Sequence, residues 1–206
     1  MTESIVKHAS KTAITLIAFA LVFTSLLAYV FNITKAPIEK SEAEARKALF
    51  RQIVPESMHN NDLLNDSITI APNVLLGNKE PIIANRARID NKPAAVILEA
   101  VAPDGYKGNI KLLIAIKYDG SIAGVRVLAH TETPGLGDYI EIAKSNWIKL
   151  FDGESLQKTD DRGWAVKKDG GQFDYMAGAT ITPRAIVKAV HKALQYYAAN
   201  REALLK

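Results

Sequence analysis

The stretch Asn109-Ile110-Lys111-Leu112-Leu113-Ile114-Ala115-Ile116-Lys117-Tyr118-Asp119-Gly120-Ser121-Ile122-Ala123-Gly124-Val125-Arg126-Val127-Leu128-Ala129-His130 decides the fold. Two runs rich in Ile and Val, Asn109–Tyr118 and Ile122–His130, flank Asp119-Gly120. Branched side chains suit a pleated surface, and Asp-Gly between such runs is a strong hairpin signal. Upstream, Ile82–Ile89 and Ala94–Ala102 repeat the pattern around Asp90-Asn91-Lys92-Pro93, which suits a turn. A short strand is expected at Ser67–Ala71. So little helix separates these runs that the sheet reads as antiparallel. Tyr139–Phe151 reads as a helix with Ile142, Trp147 and Leu150 as core contacts. The class is α+β: one N-terminal transmembrane helix, then a largely antiparallel sheet with flanking helices.

The N-terminal span is read from charge and length. Thr12 to Thr34 holds no charged residue, and about 20 apolar residues suffice to cross a bilayer core. The apolar part of a cleaved signal peptide runs to about 7–15 residues, so an uncleaved signal anchor is expected. Lys7 and Lys11 precede the span; Lys35, Lys40, Arg46, Lys47 and Arg51 follow it. That count alone favours a cytoplasmic C-terminal side, but long domains translocate largely regardless of charge. Pro37 to about Val54 reads as a helix begun by Pro37, with Ile38, Ala45, Leu49 and Ile53 roughly on one face; it suits a stalk or a helix packed on the domain. The expected divisions are an N-terminal tail 1–11, a membrane anchor 12–34, a helical stalk and connection 35–80, and a folded domain 81–206.

Composition excludes several functions. The 206 residues include no Cys, so disulfides, thiolate metal sites and cysteine nucleophiles are absent. The four His are scattered without metal-ligand spacing, and no metal site is expected. A net charge of +4 without a dense Lys/Arg run gives no case for nucleic acid. No Gly-x-Ser-x-Gly elbow or Ser/His/acid set supports a hydrolase. A membrane-anchored binding or scaffold protein is the competing class; it predicts a colourless, redox-silent product.

Near the C-terminus, Asp174-Tyr175-Met176-Ala177-Gly178-Ala179-Thr180-Ile181-Thr182-Pro183 reads as a loop feeding a helix. Thr182 is the expected N-cap and Pro183 the first helical residue. Such a start is either an ordinary cap or an anion site: Gly178 and Ala179 permit close backbone approach, and Thr180 offers a hydroxyl. Glu132-Thr133-Pro134-Gly135-Leu136-Gly137-Asp138 is a second shaped loop, where backbone can approach a flat ligand, or a plain connection in which Asp138 caps the next helix. Its Gly-Leu-Gly is no dinucleotide fingerprint. Trp164–Gly171 brings Lys167 and Lys168, either phosphate partners or solvated lysines.

Asp174, three residues, then Gly178-Ala179-Thr180 resembles the signal recognised by flavin transferases, with Ala177 where that signal usually has Ser or Thr. With the N-terminal span, Ala102-Pro103-Asp104-Gly105-Tyr106, Glu132–Asp138, Trp164–Gly171 and Gly178–Pro183, nearly the whole chain resembles the G subunit of the Rnf (Rsx) electron-transport complex. The C subunit of the sodium-pumping NADH:quinone reductase shares the flavin domain but is generally longer. The resemblance implies FMN linked covalently through its phosphate to Thr180, by a separate transferase that uses FAD and a divalent metal. Asp174, Gly178, Ala179 and Thr180 would serve recognition. Glu132, Thr133, Gly135, Leu136, Gly137, Lys167, Lys168, Gly178, Ala179 and Thr182 would contact the cofactor. It further implies an electron relay without an NAD site of its own, in a complex coupling ferredoxin–NAD electron flow to ion movement. Its partners would be membrane and iron-sulfur subunits and the lipid bilayer, with the C-terminal domain in the periplasm at the inner membrane. In Rsx relatives the implied role is to keep a redox-sensing regulator reduced.

Overall fold

The computed structural model describes residues 2–206, with side chains from residue 5; Met1 of the expected N-terminal tail lies outside the described residues. The chain forms two compact units, Met1–Arg46 and Lys47–Lys206.

The described residues of the first unit are all helical. Helix α1 runs without interruption over Thr2–Ile53, so its last turns belong to the second unit. Pro37 lies inside the helix rather than at the start of a new one, which forgoes one backbone hydrogen bond. Ile14, Leu16, Phe19, Leu21, Phe23 and Leu27 are all exposed. Among the described residues, α1 alone is long and apolar enough to cross a membrane.

The second unit is built on a five-stranded antiparallel meander, β1 (Ser67–Ile70), β2 (Ile82–Ile89), β3 (Lys92–Ala102), β4 (Ile110–Lys117) and β5 (Ile122–Ala129), paired in chain order. Asp90 and Asn91 take the turn between β2 and β3 with φ of 50° and 63°, a conformation Asn and Asp tolerate best after Gly. Pro93, expected in that turn, lies within β3 beside a register shift at Ala87/Arg88; a bulge accommodates a residue without an N–H. At the β4–β5 turn, Gly120 has φ of 88° and Asp119 accepts from both the N–H and the hydroxyl of Ser121.

Both faces of the sheet are covered, which explains why β4 is apolar in succession rather than in alternation. Val96, Leu98, Leu112, Ile114 and Ile116 join the larger core with helix α2 (Ile181–Leu205), which contributes Ile186, Val190, Ala193 and Leu194. Ala95, Ile97, Leu113 and Ala115 face the other way, onto Phe50, Ile53, Val54 and Leu63. The end of α1 is seated closely there: a Cβ at Gly124 would lie 2.9 Å from Ile53 Cγ2. Arg126 donates to the side-chain and main-chain oxygens of Gln52 at 2.9 and 3.1 Å, satisfying a helix C-terminal carbonyl.

The helix expected over Tyr139–Phe151 does not form. Short 3-10 turns at Asp138–Ile140 and Trp147–Phe151 replace it. Ser145 is the physical reason: its hydroxyl donates to the Tyr139 carbonyl (2.7 Å) and accepts from the Trp147 N–H (3.1 Å), diverting groups a helix would pair. Trp147 is buried and Ile142 packs at the core margin, but Leu150 is exposed, and Ile148 and Phe151 fill the core instead.

Candidate functional site

One open cavity of about 290 Å³ is lined by three segments. Tyr106 comes from the β3–β4 connection. Glu132, Thr133, Leu136 and Gly137 come from the loop after β5. Gly178, Ala179, Thr180, Ile181 and Thr182 come from the approach to α2 and its first residues.

The start of α2 departs from its expected form. Thr180, not Thr182, is the N-cap; its backbone is already near helical (φ −82°, ψ −18°) and its side chain makes no capping bond. The hydroxyl is therefore available beside the positive end of a 25-residue helix. Gly178 has φ of 87° with nothing within 4 Å of a Cβ position, so its backbone conformation, not crowding, requires glycine. The loop ahead is anchored by Trp147 Nε1 donating to the Asp174 carbonyl at 2.6 Å. Tyr139 packs edge-on against Trp147 at 5.5 Å. Among the described residues its buried hydroxyl has no hydrogen-bond partner, and burial pushes its pKa up to about 12, with the nearby Met176 backbone tempering the rise.

Thr182 points inward. Only 1% exposed, it donates its hydroxyl to Glu132 Oε2. Glu132, 4% exposed, also accepts the Lys107 N–H at Oε1 (3.1 Å), so one buried carboxylate ties together the three segments that form the cavity. Gly137 makes this possible: a Cβ there would meet Glu132 Cβ at 2.9 Å and Thr182 Oγ1 at 3.1 Å. Behind the carboxylate, the Glu132 N–H donates to His130 Nδ1 (3.1 Å). An accepting Nδ1 puts the ring hydrogen on Nε2, which faces Glu141 at 2.8 Å. The loop itself is pinned by Asp138, which accepts the Gly135 N–H at 2.8 Å; that bond holds its carboxyl below the usual range. Asp138 thus closes its own loop rather than capping a following helix.

The sequence-expected residues divide cleanly. Glu132, Thr133, Leu136, Gly137, Gly178, Ala179, Thr180 and Thr182 line one cavity. Gly135 stands next to it in the loop, with φ of 76°. Lys167 and Lys168 do not line it: they occupy an exposed 3-10 turn, and Lys167 pairs with Asp174 at 2.5 Å. Asp169 in that turn pairs bidentately with Arg184 of α2 (2.5 and 2.6 Å). Tyr106 and Ile181 also line the cavity, and the sequence pattern alone does not assign them to it. Both are exposed, Tyr106 with an aromatic ring and Ile181 with an aliphatic side chain. Tyr106 ends the Ala102–Tyr106 motif, a signal that could have found it, whereas Ile181 carries none of its own.

Comparison with known proteins gives this geometry a family. A model of the FMN-binding domain matches residues 105–195, and a model of the RnfG N-terminal region matches residues 1–53. The chain is 52% identical over 196 residues to the G subunit of the ion-translocating oxidoreductase complex of Pseudomonas aeruginosa strain UCBPP-PA14, covering 95% of this chain and 91% of that one. The chain belongs to this G-subunit family. Its likeness to the corresponding G subunit of Shewanella loihica is 47% over 205 residues, covering 100% and 95% of the two chains. To that of Aliivibrio fischeri strain MJ11 it is 41% over 195 residues, covering 95% and 93%. The long apolar helix α1 agrees with membership of a membrane complex.

The cavity residues fit FMN. A phosphate suits the helix start, where an unengaged hydroxyl meets the positive end of the backbone dipole. A flat, partly apolar ring suits Tyr106, Leu136 and Ile181 at the mouth, with Thr133 as a polar neighbour. Among the described residues that line the cavity, Glu132 is the one charged side chain, and it is engaged by Thr182 and Lys107.

Proposed function

We propose that this chain carries FMN covalently on Thr180 and relays electrons between other redox centres of an ion-translocating oxidoreductase complex. The observation that supports this most directly is the Thr180 hydroxyl: uncapped, half-buried, on the wall of the cavity, at the positive end of α2. An unassisted threonine hydroxyl is a weak nucleophile, so attachment falls to a flavin transferase that docks on Asp174, Gly178, Ala179 and Thr180. Thr180 Oγ would hold the FMN phosphate: a transferase using FAD would move the FMN phosphoryl group onto it, with AMP as the leaving group and the hydroxyl proton passing to the transferase. Bound FMN supplies one- and two-electron redox chemistry; the protein's part is to hold and tune it. Glu132 fixes the Thr182 end of the helix start against the facing loop. Gly137 leaves the space in which Glu132 and Thr182 meet, Gly135 takes the left-handed backbone the loop needs, and Thr133 would be a polar neighbour of the ring. Gly178 and Ala179, which line the same wall, would let backbone approach the phosphate. Lys167 and Lys168 offer cationic charge only from the exposed turn, so their part is long-range at most.

Residues 12–34 form the signal anchor in this reading, with the folded domain in the periplasm at the inner membrane. Bound FMN would exchange electrons with partner iron-sulfur or membrane subunits, and no NAD site would be required of this chain. The test is intact and peptide mass spectrometry of the full chain co-expressed with a flavin transferase. The peptide holding Thr180 gains the mass of FMN, and Thr180→Val abolishes the gain with little change of volume. An unmodified wild-type peptide, with the transferase active on a control substrate, would favour a colourless scaffold instead.

A further inference from the structure

A second, larger cavity of about 450 Å³ is also lined in part by the β3–β4 connection. Its walls are the 72–79 loop between β1 and β2, the end of β3 with Pro103 and Asp104, and one stripe of α2. That stripe is Ala185, Lys188, Ala189 and Lys192, a spacing of three, four and seven that keeps one helix face toward the groove over about 10 Å. The loop is built rather than loose. Leu76 is fully buried, and the Val101 N–H donates to the Leu76 carbonyl at 2.8 Å. Asn73 and Asn78 cross-link the turn, with the Asn73 N–H donating to Asn78 Oδ1 at 3.1 Å. At Gly77 the backbone passes so close to the Val101 carbonyl that a Cβ would lie 2.2 Å from its oxygen. The groove therefore has fixed walls.

Its chemistry is mixed in a particular way. Val101, Ala185 and Ala189 give an apolar floor, and Val74 stands 84% exposed at the edge. Three ammonium groups, Lys79, Lys188 and Lys192, face one carboxylate, Asp104. Asp104 pairs with Lys188 at 2.5 Å, and Lys192 adds to the pull that holds its carboxyl low. Two positive charges are thus left over. Among the described residues lining the groove, none is aromatic and suited to base stacking. We infer that this groove docks an acidic extended segment, with an apolar anchor against Val74, from another subunit of the complex. The segment displaces Asp104 as the partner of Lys188 and adds carboxylates opposite Lys79 and Lys192. Because the 103–106 connection lines both cavities, a partner held there sits next to the Thr180 site. The inference rests on membership of the complex and not on how FMN is attached.

The experiment places the photo-crosslinker p-benzoylphenylalanine at Val74 of the full chain in native membranes and identifies its adducts by peptide mass spectrometry. The expected adduct is a peptide of another subunit with net negative local charge. Two losses of yield are expected: about fivefold or more in Lys188→Glu/Lys192→Glu, as exposed ion pairs become repulsions, and a comparable loss in the otherwise unaltered chain at about 1 M salt, where screening reaches about 3 Å. Lys188→Arg/Lys192→Arg keeps the yield, which separates charge from a folding defect. Adducts to lipid, to a neutral or basic peptide, or to no protein overturn the inference, as does a yield insensitive to both charge reversal and salt. The FMN mass gain on the Thr180 peptide, measured in the same samples, reports separately on the flavin site.

Discussion

Removing the carboxylate of Glu132 tests the central feature of the site, the tie among three loops. In Glu132→Ala, the Thr182 hydroxyl and the Lys107 N–H lose their shared acceptor, and Thr182 is buried at 1% exposure. Hydrogen bonds to a charged group contribute about 1.5–3 kcal/mol each, and an orphaned buried donor adds its own desolvation cost. A net loss of about 2–5 kcal/mol is expected, a large share of the roughly 5–15 kcal/mol that holds a domain folded. Thr182→Val removes one of the two bonds with little change of volume and should cost about 1.5–3 kcal/mol. The singles and the double then form a cycle. Because both changes break the same contact, the double variant should fall short of their sum by about 1–2 kcal/mol. Glu132→Gln should be milder, at about 0.5–1.5 kcal/mol: its carbonyl still accepts from Lys107, and its amide donates to a Thr182 hydroxyl that turns to accept. The assay is denaturant unfolding of the full chain in detergent, read from the fluorescence of Trp147 and Trp164, both buried in the folded unit. Flavin incorporation on Thr180, two residues from Thr182, should drop in Glu132→Ala and largely survive in Glu132→Gln. The reasoning would be refuted by additive energies in the cycle together with normal incorporation in Glu132→Ala.

Two further predictions concern the scaffold. Burial raises the Asp66 carboxyl pKa, but hydrogen bonds and charge from Arg88 and Arg86 outweigh burial and hold it below its ordinary value; its stabilisation is full above about pH 5 and lost as pH falls through the lowered value, so Asp66→Asn should flatten the acid limb of a stability–pH curve, and an unchanged limb counts against the pairing. Tyr139→Phe deletes a buried hydroxyl that has no partner and should leave thermal stability unchanged or raise it by up to about 1 kcal/mol; a loss greater than that would reveal a bond to the loop at Met176.

What could be read in the sequence followed the range of the interactions that fix each part. The strands and hairpins were legible because Val/Ile runs and Asp-Gly are local signals, and β2 to β5 lie close to where those runs place them. The helix expected at Tyr139–Phe151 failed because hydrophobic spacing does not register a single Ser145 diverting backbone groups. The lining of the cavity was legible in composition but not in wiring. Eight of its expected residues line one cavity, yet the inward turn of Thr182 and the freeing of Thr180 depend on Glu132, 50 residues away in sequence. A cap is ordinarily read from the residues beside it. Here the better capping candidate on local grounds is drawn off by a distant buried carboxylate, and the helix begins two residues earlier at a threonine whose hydroxyl caps nothing. That exchange bears directly on the proposed function, because a threonine committed to capping would hold its hydroxyl against backbone N–H groups. The Glu132–Thr182 bond fixes the helix start from inside and leaves Thr180 facing the cavity, with its oxygen available for the chemistry proposed for it.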